Sequence, residues 1–372
     1  MKICYTNFHR HDGGGHTTYI LSLARALAPR HTVWVAAPRT SRLYQQAGEI
    51  PGVQRFALAF SSRPIGTLAC AMRLHALLRR ERFDIVHANG SADHRCVGLA
   101  ALGLGRRRPR IVFTKHNDMP ADGIGNTLRA RYATDRAICV SGDTFERLSH
   151  TAYRSRGLRL IRNGVDVERF SPWSGEDARQ ARRRWLGDTL PDNALVVGSN
   201  AGVAPHKGWL DMVRAVAGLP AELRGRVFVL LAGQPCGEQE RAEIESLFMQ
   251  DRVVHAGLLH DVRPFIAALD LGFVLSYRIE TISFACREMM AMGKPVIVSD
   301  AGGLPENIHP GQDGWIVPKR LPACVGAILR DVLDDPARLA RMGAAARAKS
   351  QAEFRLDRCV ADTEAVYREA LA

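Results

Sequence analysis

Cysteine is sparse and scattered, with eight residues at 4, 70, 96, 139, 236, 286, 324 and 359 and no C-x-x-C pair. That spacing argues against a zinc ribbon or a disulfide frame and suits reduced core positions. Long apolar runs are missing as well. Nothing approaches the roughly 20 consecutive apolar residues of a membrane span. The N-terminus, MKICYTNFHRHDGGG, passes from one short apolar strand straight into a charged loop, where a secretory signal needs a longer apolar stretch. A soluble, cytoplasmic protein is expected. Aromatic residues are only 7% of the chain, too few for the stacking platform of a single-strand nucleic-acid binder. No G-x-x-x-x-G-K-[ST] loop is present and no G-x-G-x-x-G follows the first strand, so neither P-loop hydrolysis nor a dinucleotide cofactor is indicated. No Asp-x-Asp occurs anywhere.

What is present in excess is arginine, since lysine supplies only 6 of the 51 basic residues. The net charge of +13 is lopsided. Residues 1–170 hold 27 Lys and Arg against 12 Asp and Glu, a net +15, and the remainder holds 24 against 26, a net −2. A one-sided basic field suits an anionic partner such as nucleic acid, anionic lipid or a phosphorylated substrate, or else is a solubilising Arg-rich surface.

A chain of 372 residues exceeds a single hydrophobic core. Short apolar β-type runs alternate with helical segments, first at 2–7, 32–38, 53–60, 84–90, 110–117, 136–142 and 158–164. A polar stretch at 166–193, with Pro172, Pro191 and one short basic helix at most, reads as a linker. A second series follows at 194–200, 226–233, 252–257, 270–276, 295–300 and 314–318, and helices at about 322–333, 336–350 and 354–371 close the chain. Near-continuous apolar strands with crossover helices predict two doubly wound, Rossmann-like α/β domains with an inter-domain cleft, their ligands at the carboxyl ends of the strands. The divide is placed between 170 and 171. The first domain, 1–170, takes the C-terminal helix 354–372 back onto itself, and the second spans 171–353.

The segment SYRIETISFACREMMAMGKPVIVSDAGGLPENI, 276–308, is the most informative. Glu280 ends a loop at a strand's carboxyl end, and Glu288 sits eight positions later on the following helix. The amides near Ile282, Ser283, Phe284 and Ala285 open that helix, and a helix N-terminus suits a pyrophosphate. A carboxylate beside it accepts hydrogen bonds from sugar hydroxyls. By spacing alone, two solvated glutamates on a surface helix fit as well.

The segment resembles the signature of the retaining glycosyltransferase family 4, whose two-domain fold is called GT-B. That pattern is a glutamate, seven residues, a second glutamate, then Ala-Met-Ala-x-Gly-x-Pro-Val and later Gly-Gly-x-Pro-Glu. The matches are Glu280, Glu288, Met290, Ala291, Gly293, Pro295, Val296, Gly302, Gly303, Pro305 and Glu306. GGGHTTYILSLARAL (13–27), NGVDVERFSP (163–172), PHKGW (205–209) and GLLHDVRPFIAALDLGFVLS (257–276) resemble further family stretches in the same order, so the likeness covers nearly the whole chain.

The resemblance implies roles. Glu280 contacts the transferred sugar and stabilises the charge-separated transition state. Glu288 holds the nucleotide's ribose hydroxyls, and Ile282, Ser283 and Phe284 line the donor site. Lys207 neutralises the leaving diphosphate, as fixed positive charge should where negative charge develops. Gly14 and Gly15 let the backbone approach the donor. His116, after the strand RIVFTKHN, matches a position near the sugar and is a catalytic candidate, although a lone histidine after a strand is as readily structural. His9, His11, His16 and His87 also lie in or after strand ends, and one or two of them, with His16 and His87 named first, are expected to reach the acceptor. The family's arginine five positions before Lys207 is Gly202 here, and the residue after the first glutamate, usually glycine, is Thr281. Diphosphate affinity and donor identity are therefore not carried over.

The expected activity is a metal-independent, retaining transfer from a nucleotide-sugar, UDP-hexose or UDP-N-acetylhexosamine first, with GDP-mannose and ADP-heptose open. No separate cofactor is required. The acceptor is a saccharide or lipid-linked saccharide such as lipopolysaccharide core, taken by the basic first domain. Segments 61–83 and 105–110 offer a peripheral contact with the anionic inner face of the cytoplasmic membrane, or form an ordinary crossover helix with a solvated rim. A sugar-nucleotide epimerase of the same architecture is the alternative enzyme. A nucleic-acid binder accounts for the charge but leaves 276–308 unexplained.

Overall fold

The computed structural model describes residues 1–372 apart from Ser62, Thr189, Asp192 and Ile279. The chain divides into two compact units, Met1–Gly164 with Leu356–Ala372, and Val165–Arg355.

The first unit carries β1 Lys2–Thr6, β2 Thr32–Ala37, β3 Val53–Ala57, β4 Ile85–Ala88, β5 Arg110–Lys115, β6 Arg136–Cys139 and β7 Arg159–Leu160. They pair in parallel in the order β3-β2-β1-β4-β5-β6-β7. The inner strands are apolar on both faces, as a sheet covered by helices on both sides requires. β3 is an edge with exposed Gln54 and Arg55, which blunts it, and it stops at Ala57 instead of reaching residue 60. The chain steps from β1 towards β3 in one direction and from β3 towards β7 in the other. Right-handed crossovers then put the helices Pro64–Glu81, Ser91–Ala101 and Ile124–Tyr132 on one face. The helices Gly14–Leu27 and Leu356–Leu371 pack together on the other.

The second unit carries β8 Leu195–Ser199, β9 Val227–Ala232, β10 Val253–Gly257, β11 Leu271–Val274, β12 Val296–Ser299 and β13 Gly314–Val317. These are parallel in the order β10-β9-β8-β11-β12-β13. Alternation along the strands splits the core in two. Val196, Leu230, Val274 and Val298 face one layer of helices, and Val197, Leu231, Phe273 and Ile297 face the other.

The divide falls six residues earlier than the sequence places it. Val165, Val167 and Phe170 bury their side chains in the second core. Arg347 Nη1 donates to the carbonyls of Val167, Phe170 and Ala291 at 2.7, 2.8 and 2.7 Å. The expected linker holds a full helix, Gly175–Leu186, capped by Ser174. At the other end Phe354 belongs to the second core, and the return to the first unit begins at Leu356.

Strand order reverses between β1 and β4 in one sheet and between β8 and β11 in the other. Such switch points open a crevice at the strands' carboxyl ends, and the candidate residues gather at both.

Candidate active site

In the second unit, Lys207 Nζ lies 2.8 Å from Glu280 Oε2. Ser276 Oγ donates to the same oxygen at 2.8 Å, and Glu280 is only 8% exposed. Three features hold this carboxylate. Tyr277 N–H donates to the His206 carbonyl at 3.0 Å, tying the β11 end to the turn that carries Lys207. Ser299 Oγ donates to the Ser276 carbonyl. Gly302, at φ +51, passes so close beneath that a Cβ there falls 1.8 Å from the Glu280 carbonyl oxygen. The first glycine of the Gly-Gly-x-Pro-Glu motif is thus steric, since only glycine fits there, and Gly303 N–H donates to that carbonyl at 3.3 Å.

Ser283 caps the helix Phe284–Ala291 by accepting from Cys286 N–H at 3.3 Å. Ile282 and Ser283 are buried and Phe284 is half-buried. One turn on, Glu288 Oε2 accepts from Asn200 Nδ2 at 2.7 Å, joining the helix to the end of β8. Glu280, Glu288, Lys207 and the helix start therefore share one switch point, and both carboxylates are hydrogen-bonded, which a solvated pair on a surface helix does not require. Motif matching passed over Ser276 and Asn200. The signal open to it was a polar residue directly after a buried strand.

In the first unit, imidazoles cluster where β1, β4 and β5 end. The ring centroids of His9 and His16 are 4.8 Å apart, those of His16 and His116 4.4 Å, and those of Tyr19 and His116 4.7 Å. Asn89 sets the tautomer of His116. Its amide nitrogen donates to the Thr6 and His87 carbonyls, so its oxygen accepts, at 3.0 Å, from Nε2–H of His116. Asp93, also overlooked in the sequence, anchors that loop by accepting from Thr6 Oγ1 at 2.8 Å, Asn89 N–H at 2.9 Å and Gly90 N–H at 3.2 Å. Burial holds the rings neutral: it pushes His16 down to about 3, lowers His9, and with His16 beside it takes His116 well below the usual histidine value.

His87 does not join this surface. It is fully buried, and its ring nitrogens lie 2.6 Å from Tyr367 Oη and 2.6 Å from Thr114 Oγ1. It is a core histidine beneath the cluster, and the expectation that it meets an acceptor is corrected. His11 stands exposed. Gly14 and Gly15 are exposed in the first turn of the helix Gly14–Leu27, with Gly14 at φ +49. Lys115, just before His116, is buried, donates to Asn117 Oδ1 at 2.7 Å and the Met119 carbonyl at 2.6 Å, and is pushed down by burial to about 8. Among the described residues no group of three His, Cys, Asp or Glu is placed to hold a metal ion.

Comparison with known proteins matches both units. The model of Glycosyltransferase Family 4 matches residues 13–169, and that of Glycosyl transferases group 1 matches residues 188–349. The D-inositol 3-phosphate glycosyltransferase of Streptomyces avermitilis is 31% identical, covering 97% of this chain and 84% of that protein. The GDP-mannose-dependent alpha-(1-6)-phosphatidylinositol monomannoside mannosyltransferase of Mycolicibacterium smegmatis is 25% identical, covering 90% of this chain and 89% of that one. Among solved structures, Anabaena HepE in complex with UDP superposes with a TM-score of 0.80 at 20% identity, over 99% of this chain and all of the other; that likeness is one of fold. The chain belongs to glycosyltransferase family 4 and is a transferase of GT-B architecture, an enzyme that moves a sugar from a nucleotide-sugar donor to a saccharide-type acceptor.

Proposed function

We propose that the second unit binds the donor and that the transfer retains configuration without a metal ion. The observation that carries this is the contact of Lys207 with Glu280 at 2.8 Å, beside a capped helix start and a second carboxylate. Lys207 and the first amides of the helix Phe284–Ala291 take the diphosphate, Glu288 takes the ribose hydroxyls, and Glu280 faces the transferred sugar. As the glycosidic bond to the diphosphate lengthens, negative charge grows on the leaving oxygens and positive charge on the sugar ring. Lys207 offsets the first and Glu280 the second. In the first unit, neutral His116, its tautomer set by Asn89, is the candidate hydrogen-bonding partner for a sugar hydroxyl.

The acceptor we infer is a phosphorylated polyol or a lipid-linked saccharide bound by the first unit. The +15 of residues 1–170 favours an anion, and the relatives' names include inositol 3-phosphate and phosphatidylinositol monomannoside. Lipopolysaccharide core, the sequence expectation, falls in the same anionic class. UDP-sugars and GDP-mannose are the donors to try first. The deciding assay is transfer of labelled sugar from UDP-glucose, UDP-N-acetylglucosamine, GDP-mannose and ADP-heptose to inositol 3-phosphate, phosphatidylinositol and lipopolysaccharide core, with unphosphorylated inositol as control. Product from inositol equal to that from its phosphate would reject the anionic acceptor. Interconversion of the donor without acceptor would restore the epimerase reading.

One face of the first unit also fits a membrane surface. On the helix Pro64–Glu81, Cys70, Leu74 and Leu77 are buried, yet Ile65, Leu68 and Met72 form an outward stripe, Ile65 87% exposed. On the helix Ile124–Tyr132 of the same face, Ile124, Leu128 and Tyr132 repeat this. Arg63, Arg73, Arg79 and Arg131 stand exposed among them, each adding about 1 kcal/mol near an anionic surface. No helix among the described residues is long and apolar enough to cross a membrane. Vesicle flotation checks the surface contact, and equal binding to neutral and anionic vesicles counts against it.

A further inference from the structure

The charges placed at the β8/β11 switch point do not balance a nucleoside diphosphate, which is a multiply charged anion. Lys207 and Glu280 form a pair that is neutral in sum, and Glu288 adds a second carboxylate on the next helix. The loop after β8 supplies no cation at Gly202, where φ is +91 and an added Cβ meets nothing within 4 Å. The loop after β11 carries a cation that can supply the balancing charge.

Arg278 is placed for it. Tyr277 on one side of it is bonded to the His206 carbonyl at 3.0 Å, and Glu280 on the other is bonded to Lys207 at 2.8 Å. The turn below is seated so tightly that a Cβ on Gly208 falls 2.0 Å from the Leu275 carbonyl oxygen. Arg278 itself is exposed and, among the described residues, makes no ion pair or hydrogen bond. It stands near enough to His206 to add, after burial and Lys207, to the lowering of that histidine. The neighbouring Arg320 is occupied, its guanidinium 4.0 Å from the centroid of the Tyr277 ring.

We propose that Arg278 binds the donor's diphosphate, supplying with Lys207 the positive charge on which the leaving group depends. A guanidinium offers two parallel donors to phosphate oxygens where an ammonium offers a point charge. This assignment rests on the donor reading above.

The test compares wild type, Arg278→Gln, Arg278→Lys and Arg320→Gln with UDP, GDP and ADP by calorimetry, and with the matching nucleosides by ligand-observed NMR. Arg278→Gln is expected to weaken whichever diphosphate the wild type binds by about tenfold or more. It should leave the nucleoside unchanged and make diphosphate binding less sensitive to salt. Arg278→Lys recovers part of the loss, and Arg320→Gln stays within about threefold of wild type. An unchanged diphosphate affinity in Arg278→Gln, an equal loss for the nucleoside, or a larger loss in Arg320→Gln overturns the assignment. A wild type that binds none of the three diphosphates overturns the donor reading itself, an outcome distinct from any difference between variants.

Discussion

Glu280 and Glu288 are both carboxylates on one segment, yet their surroundings differ, and the roles proposed for them predict different losses. Glu280 is 8% exposed and shares one oxygen between Lys207 and Ser276, so its charge is held rigidly. Glu288 is half-buried, with Asn200 as its hydrogen-bond donor. Glu280→Gln keeps the shape and removes the charge. It should lower kcat about a hundredfold, the scale of losing one preorganised electrostatic contact, with a smaller change in donor KM. Glu288→Ala should do the reverse, weakening nucleotide binding about tenfold with kcat nearer to wild type. Steady-state kinetics and nucleotide titration separate the two, and two fully active variants would sink the site. Gly302 makes a third claim at this scale. Gly302→Ala brings a methyl 1.8 Å from the Glu280 carbonyl oxygen at φ +51, so it should cost more than about 1 kcal/mol of stability and reduce turnover through a displaced Glu280. Wild-type melting and activity in this variant would show that the loop yields freely.

At the scale of elements, the C-terminal helix Leu356–Leu371 is a working part of the first unit. Its Tyr367 is fully buried, 2.6 Å from His87 Nδ1 and 3.1 Å from the Tyr5 hydroxyl. His87 continues to Thr114, and Thr114 Oγ1 lies 3.5 Å from the hydroxyl of Tyr19, whose ring packs on His116. Burial pushes His87 down to about 3, so the ring is neutral and one nitrogen must accept while the other donates. Tyr367→Phe strands a buried ring nitrogen and should cost about 1–2 kcal/mol. A thermal melt measures this, and an unchanged midpoint would mean that the helix holds by its apolar face alone.

For the molecule as a whole, stability should fall on mild acidification. His16, His87 and His94 are pushed down to about 3, burial being the first cause in each. Their folded values lie below the unfolded value of about 6.5, so their contribution is complete above about pH 6.5 and is lost as pH falls. Asp93 runs the other way: burial pushes it up to about 7, so its contribution is present in acid and is lost as pH rises from about 4 through 7. Each group counts for about 1.4 kcal/mol per pH unit, and three histidines outweigh one carboxyl. The net loss is roughly 3 kcal/mol between about pH 6 and 5. Denaturant titrations at about pH 7.5, 6.5 and 5.5 test the sign; stability that is flat or rises in acid would contradict it.

The amino-acid sequence by itself determined the two parallel α/β halves, because strands apolar on both faces leave no other sheet to build. It also marked Glu280, Glu288 and Lys207, because a glutamate pair, a helix start and a Lys-Gly turn at strand ends are local patterns. Local patterns cannot report what meets across a sheet. That Val165, Val167 and Phe170 belong to the second core depended on Arg347 and Phe354, nearly two hundred residues away in the chain. That His87 is core while His9 and His16 join His116 depended on Tyr367 arriving from the C-terminus, since all four histidines lie in or after strand ends in the sequence. Asn200, Ser276 and Asp93 matched no motif, and a polar residue at a strand end does not name its partner, because a buried polar group acquires a partner only when the chain has closed around it.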